Sequence, residues 1–370
     1  MSHARPADRT APTHPDDRAD QPRTGGTTPS RTTMRAVRLH EFGPPENLSV
    51  ERVPAPVPAA GQVRIAVTVA GVHLVDTALR EGLRLGPAPK PTALPAIPGR
   101  EVAGTVESVG DGVDPSWLGR RVAAHLGMVP GGGYAELAVT GAERLHALPD
   151  HVQEEHALAM VGTGRTAMGI AQFTELGPAD TVIVLAAAGG IGSLLVQYAK
   201  SRGAYVVGAA GGPAKVEAVR GLGADLAVDY TEPRWEERIT GQLGSRPATH
   251  LLEGVGGTLA RTAVELLDVG GSHLGYGYAS TGFDPIGGVS LSEAEAADRG
   301  ITSQSVLGEP MFARIGGIEN LRVLEDRAMR LLADGTFAPL IHHFPLAGAA
   351  RAHRALQSRG TLGKVVLATR

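Results

Sequence analysis

The chain of 370 residues has no cysteine, which excludes disulfides, thiolate zinc sites and a cysteine nucleophile while leaving the redox compartment open. It has no apolar run long enough to span a bilayer, so a soluble protein with no membrane partner is expected. It has no excess of one charge: the formal net charge is −3, which argues against nucleic acid or anionic lipid as an obligate partner. No apolar segment follows the N-terminus as a secretory signal would. Asp8, Asp16, Asp17 and Asp20 count against a transit peptide, so a cytoplasmic location is expected. No Gly-x-Ser-x-Gly elbow supports a hydrolase, and no His-Glu-x-x-His helix supports a metalloprotease.

What remains is 42% hydrophobic, enough at this length for two domains with real cores. Residues 1–33 carry five prolines and little to bury beyond alanine, so they read as a disordered tail. From Met34 to about Pro149, short alternating segments punctuated by Gly and Pro predict strands over 35–39, 48–52, 63–69, 101–109, 121–124 and 134–139. That spacing suggests a small β-barrel. The proline-rich stretch 83–98 reads as a loop overhanging a cleft, and 154–160 as a helix leading to a second helix start at 162–167.

The organising stretch is 182–203. Val182–Leu185 reads as a buried parallel strand and Leu194, Leu195 and Tyr198 as one face of a helix, with AAAGGIG between them. Ala187-x-Gly189-x-x-Gly192 is the dinucleotide fingerprint with alanine in the first glycine's place. Gly189 lets the backbone approach a pyrophosphate, Gly192 permits close helix–strand packing, and the helix N-terminus supplies N–H donors. Gly190 and Ile191 lie within the same turn. Strands over 205–209, 226–230, 251–253 and 272–275 then alternate with helices over 214–222, 235–243 and 259–267. This pattern predicts a doubly wound parallel sheet, an α/β fold. Helices over 319–333 and 347–357 and a strand over 364–369 close the chain, returning to the barrel.

That order of barrel, nucleotide fold and short return resembles the medium-chain dehydrogenase/reductase superfamily. The segments MRAVRLHEFG (34–43), GVHLVDT (71–77), PGREVAGTV (98–106), AAAGGIG (186–192) and SRGTLGKVVL (358–367) look like its zinc-free quinone oxidoreductase branch, related to zeta-crystallin. The alanine-glycine string is also found in enoyl reductase modules of polyketide synthases. The resemblance implies a GroES-like β-barrel catalytic domain over 34–158 and 306–370, a Rossmann nucleotide-binding domain over 159–305, and a homodimer. In zinc-bearing relatives the metal ligands fall at positions that look like His73, Arg100 and a site near Ala159. One imidazole beside a guanidinium cannot hold Zn²⁺, so no metal is expected. His342 and His343 are adjacent, diverge on any strand, and do not replace it.

About 20 residues past the fingerprint, where an NAD site places an acid on the ribose 2′-OH, the chain has Gly208-Ala-Ala-Gly-Gly and no carboxylate, followed by Lys215. NADP(H) is the cofactor this implies. The resemblance places residues matching Gly208, Lys215 and Tyr230 on the 2′-phosphate. It adds Thr166 near the nicotinamide, and Gly254, Gly256, Tyr276, Gly277 and Arg359 around the cofactor. Without a metal to polarise an alcohol, the expected chemistry is hydride transfer to an electron-poor small molecule. That acceptor is a quinone or, as the alternative, an enone or enoyl thioester, including those of polyketide or other secondary metabolism. The chain departs from the branch at His73, where Asn is frequent, and at Ala78, where Tyr often follows Asp-Thr. His73 is the candidate hydrogen-bond and proton donor, Asp76 its orienter or a tie for the loop, and Arg100 a holder of developing negative charge. A nucleotide-binding protein without turnover is the reading from another class; the retention of Gly189, Gly192 and Lys215 weighs against it.

Overall fold

Alternating apolar residues give the first part of the chain its strands. The computed structural model describes residues 32–83, 93–127, 131–277, 279 and 291–370. Of the tail expected over 1–33, residues 1–31 lie outside the described residues and Thr33 already opens the first strand; most of the proline-rich loop expected over 83–98 also lies outside them. β1 (Thr33–Leu39) and β2 (Leu48–Pro54) form an antiparallel pair. β3 (Gln62–Val72) is the long central strand of a seven-stranded sheet; it is followed by helix α1 (Leu74–Arg80). β4 (Glu101–Val109), β5 (Arg121–His125), β6 (Leu137–Gly141) and β7 (Leu145–Ala147) complete this part. The strand expected over 134–139 starts three residues later. Tyr134 is instead a fully buried side chain, with its hydroxyl on Asp76 and His353.

α2 (Glu154–Ala159) and α3 (Arg165–Ala171) are joined by a wide π-helical turn over Met160–Gly164, so the two expected helices are one interrupted helix. β8 (Thr181–Leu185), buried at every position, then opens the nucleotide fold and runs into α4 (Gly190–Ser201). β9 (Tyr205–Ala210), α5 (Pro213–Gly221), β10 (Leu226–Asp229), α6 (Trp235–Leu243), β11 (His250–Glu253), α7 (Gly257–Val264) and β12 (Ser272–Gly275) follow the predicted alternation. After α8 (Glu293–Asp298), β13 (Thr302–Ser305) adds a sixth strand. Every pairing is parallel and the order is β10-β9-β8-β11-β12-β13, with the reversal of direction between β8 and β11. Ligands bind beyond the carboxyl ends of the strands at such a switch point. β13 has the sequence TSQS and is mostly exposed at the sheet edge, so it carries no apolar alternation to read.

α9 (Glu309–Ala313) and α10 (Arg322–Ala333) pack beside the interrupted helix, and β14 (Ile341–Pro345), α11 (Ala349–Gln357) and β15 (Lys364–Ala368) end the chain. β15 pairs antiparallel with β3 and parallel with β14, so the last strand joins the first sheet. Gly363, at φ +62°, holds the entry to β15, and its N–H donates to the carbonyl of Ala188 in the fingerprint turn at 2.7 Å. One backbone bond thereby ties the returning strand to the nucleotide fold.

Candidate functional site

Strand register builds the polar end of the site. Val365 pairs with Val72, Ala70 with Val102, and Glu101 with His125. This alignment brings Lys364 at the start of β15 beside His73 at the end of β3, with Glu101 at the start of β4 next to both. Directly opposed antiparallel residues face the same side, so Glu101 and His125 share a face.

Lys364 Nζ lies 2.8 Å from Glu101 Oε2 and 2.8 Å from His73 Nε2, and that Nε2 lies 2.6 Å from Glu101 Oε1. The Lys364 and Glu101 side chains are 3% and 1% exposed, so the Lys364 charge is compensated mainly by Glu101, which has both Lys364 and the His73 ring beside it. Burial opposes ionisation of Glu101, but attraction to His73 and Lys364 outweighs it and holds the carboxyl well below the usual range. Burial lowers His73, against the pull of Glu101, and likewise lowers Lys364. Two glycines make room for the carboxylate. A Cβ at Gly71 would stand 2.6 Å from Glu101 Oε2, and one at Gly162 would stand 1.5 Å from Oε1. The helix residue facing His73 is therefore Gly162 in the π-turn; Ala159, near which the third ligand position was expected, is fully buried in the core.

Asp76 ties the loop. Its Oδ2 accepts from the His73 backbone N–H at 2.8 Å and from Tyr134 Oη at 3.2 Å, while Oδ1 is 3.5 Å from Arg100 Nε. It does not hold the His73 ring. His125 stands apart from the ion pairs: its Nδ1 accepts the Gly127 N–H at 3.1 Å, and burial with Arg165 nearby pushes its pKa down to about 4. Arg165 bonds Glu325 Oε1 at 2.9 Å, and His146 holds the other oxygen at 2.9 Å.

The nucleotide end is made of backbone. A Cβ at Gly192 would come within 2.3 Å of the Ala186 carbonyl oxygen, so only glycine lets α4 start this close to the strand. Gly189 caps that helix, Gly190 and Ile191 begin it, and Ala187 is fully buried under the turn. Beyond β9, Lys215 Nζ donates to the carbonyl of Arg359, whose own guanidinium donates to the Ala279 carbonyl at 2.9 Å. Burial and the Arg359 charge lower Lys215, and neither cation pairs with a carboxylate among the described residues. Tyr230 lies against Gly211, 3.0 Å from where its Cβ would be. Gly208 is not in this cluster: it sits inside β9, where Val219 fills the place of a side chain at 2.3 Å. Gly256 is also set back; with Val255 it donates its N–H to the buried Glu253 carboxylate and caps α7.

Both ends open on one cleft of about 690 Å³. His73, Arg100, Thr166 and Arg359 line it, as do Gly189, Gly190, Ile191 and Gly192 of the turn and Gly254, Tyr276 and Gly277 of the sheet end. Asp76, Ala187, Gly208, Lys215, Tyr230 and Gly256 lie outside that lining. Glu101, His125, Arg165 and Lys364 also line it and were not singled out from the sequence. A readable signal existed for two of them: Lys364 begins an otherwise apolar strand, and Glu101 stands at the head of a strand whose next three residues are Val, Ala and Gly.

The site and sheet define a dinucleotide-fold oxidoreductase with a GroES-like partner region. The family model for the alcohol dehydrogenase GroES-like domain matches residues 59–150, and that for zinc-binding dehydrogenase matches 190–308. A quinone oxidoreductase of Pseudomonas aeruginosa is 31% identical over 90% of this chain and 99% of its own length. A 2-haloacrylate reductase of a Burkholderia species is 30% identical over 90% and 98%. The crystal structure of Escherichia coli quinone oxidoreductase complexed with NADPH superimposes with a TM-score of 0.75 at 26% identity, covering 90% of this chain and 99% of the other. The chain therefore belongs to the medium-chain dehydrogenase/reductase superfamily, in its quinone oxidoreductase branch, a family of oxidoreductase enzymes.

Proposed function

We propose that the protein is an NADPH-dependent, zinc-independent oxidoreductase that reduces quinones. The observation that carries this reading is the Lys215–Arg359 pair: two cations beyond the second strand, with no carboxylate paired to them and no acid where a ribose 2′-OH would need one. A 2′-phosphate fits that excess of positive charge, and the quinone oxidoreductase from E. coli is complexed with NADPH. When bound, the cofactor supplies a hydride. The chain's own residues bind and orient: α4 presents N–H groups and its positive end to the pyrophosphate, and Gly189 and Gly192 allow the close approach. Arg100 and Arg165 line the other end of the cleft as cations, while the charge of Lys364 is taken up by Glu101.

Zinc does not fit the polar end. The ammonium of Lys364 stands 2.8 Å from both His73 Nε2 and a Glu101 oxygen, where it would repel a metal ion. Among the described residues no group of three His, Asp or Glu side chains could hold a metal. We assign the catalytic part to 34–158 and 306–370 and the nucleotide part to 159–305, and propose a cytoplasmic homodimer. Among the described residues no helix is long and apolar enough to cross a membrane. A monomer mass of 38.2 kDa by light scattering would overturn the dimer.

The relative named 2-haloacrylate reductase favours a second reading, in which the acceptor is an activated carbon–carbon double bond next to a carbonyl or carboxyl group. The deciding experiment is NADPH oxidation against benzoquinone, naphthoquinone, an alkenal and a crotonyl thioester. Turnover of the quinones above the others is expected; turnover of the unsaturated substrates alone would replace the first reading by the second.

A further inference from the structure

His73 after β3 and His125 at the end of β5 flank the start of β4, yet their ring nitrogens are in opposite situations. His73 Nε2 is committed to Lys364 and Glu101, at 2.8 and 2.6 Å. His125 receives a hydrogen bond on Nδ1 from the Gly127 N–H, so that nitrogen carries a lone pair and the ring's own proton is on Nε2. Gly127 adopts φ +101° to aim this N–H, a backbone conformation that favours glycine, and a Cβ there would meet the Arg144 guanidinium at 2.6 Å. The tautomer is thus set by the turn after β5. Nε2 has no partner among the described residues, while the residue itself lines the cleft.

We propose that His125, rather than His73, is the catalytic hydrogen-bond donor of this site, its neutral Nε2–H bonding the carbonyl oxygen of the acceptor as negative charge collects there. This rests on the reading of the protein as a reductase of carbonyl-bearing acceptors. The charged groups around the ring are Arg165 of α3, Arg100 before β4, Glu101 of β4 and His73 after β3. With burial they leave the imidazole uncharged down to about pH 4. A neutral imidazole is a hydrogen-bond donor and not an acid. It therefore keeps its proton as the acceptor takes up the hydride's two electrons, and solvent water supplies the proton that completes the product. The cost of charging the ring is avoided, and the donor stays in one protonation state across the physiological range. Arg100 and Arg165, which line the same cleft, add longer-range attraction for the same oxygen.

The test joins spectroscopy of the full chain to kinetics. With ¹⁵N-labelled histidine, NMR should show His125 as the Nε2–H tautomer from pH 8 to 5. A Nδ1–H form, or titration near the ordinary value, would overturn the proposal. His125→Leu should lower kcat on a quinone by about 10²-fold, as loss of one oxyanion donor does, with the NADPH dissociation constant unchanged. His125→Gln, whose amide N–H can reach the place of Nε2–H, should recover most of it. An unchanged His125→Leu, or a Gln variant as poor as the Leu one, would also overturn it. A wild-type protein that oxidises NADPH with none of the acceptors would instead remove the functional reading itself, so the two failures are distinguishable.

Discussion

The two ends of the cleft are built in opposite ways. At the nucleotide end most working parts are main-chain N–H groups from one turn, Ala186–Gly192, and the spaces glycine leaves between strand and helix, with the Lys215 and Arg359 side chains beyond them. At the acceptor end they are side chains from four strand ends, with Lys364 and His73 separated by 291 positions in the chain and Lys364 and Glu101 by 263. The first tolerates no added atom; the second tolerates no lost charge. This contrast predicts different failures on substitution.

The largest effect is expected at the acceptor end. Lys364→Met leaves the buried Glu101 carboxylate with only the His73 ring beside it, which should cost about 3–5 kcal/mol of unfolding free energy in a urea titration. Adding Glu101→Leu to it should restore much of the loss, because the double variant removes the stranded charge. A single variant within about 0.5 kcal/mol of the wild type would show that the ion pair lies in solvent-like surroundings.

Acid sharpens the same comparison. His125 at the acceptor end, His353 buried behind it against Tyr134, and His273 in the nucleotide sheet are each lowered to about 4, burial being the largest cause in all three. A group whose pKa is depressed in the folded state contributes stability that is present above its unfolded pKa and lost as pH falls through the folded one. Unfolding free energy should therefore fall between about pH 6.5 and 4, by up to about 3 kcal/mol for each such imidazole. His353→Gln should flatten part of that slope; a slope the same as the wild type's would contradict neutral burial of His353.

A smaller and more selective effect is expected at the nucleotide end. Lys215→Ala should weaken NADPH binding by about 1.5–3 kcal/mol, the range for a charge-assisted contact, and leave NADH nearly unchanged. Calorimetric titration that finds both cofactors weakened equally would make Lys215 a support for Arg359 instead.

These differences also explain what could be read without the fold. The fingerprint turn was legible because strand, turn and helix are contiguous, so Ala187, Gly189 and Gly192 carry their meaning in their spacing. That the sheet is parallel followed from the same alternation, whereas the order of its strands is seen only in the fold. The acceptor end was legible only where resemblance pointed, at His73 and Arg100. Glu101, His125 and Lys364 are joined by register between β15, β3, β4 and β5, which no local pattern encodes. Gly208, expected at the phosphate, lies two residues before the end of β9, because the strand runs on to Ala210. β13 and β14 were missed for want of alternation; the first is TSQS and the second carries two adjacent histidines.

The proposed chemistry needs a nucleotide end that takes a 2′-phosphorylated dinucleotide and an acceptor end that works without a metal. The most direct measurement is the rate of cofactor oxidation with benzoquinone, comparing NADPH and NADH, each with and without a strong chelator. The account predicts kcat/KM for NADPH at least about tenfold above that for NADH, the equivalent of one charge-assisted contact, and no change on chelation. A preference for NADH, or activity lost to the chelator and restored by zinc, would contradict it.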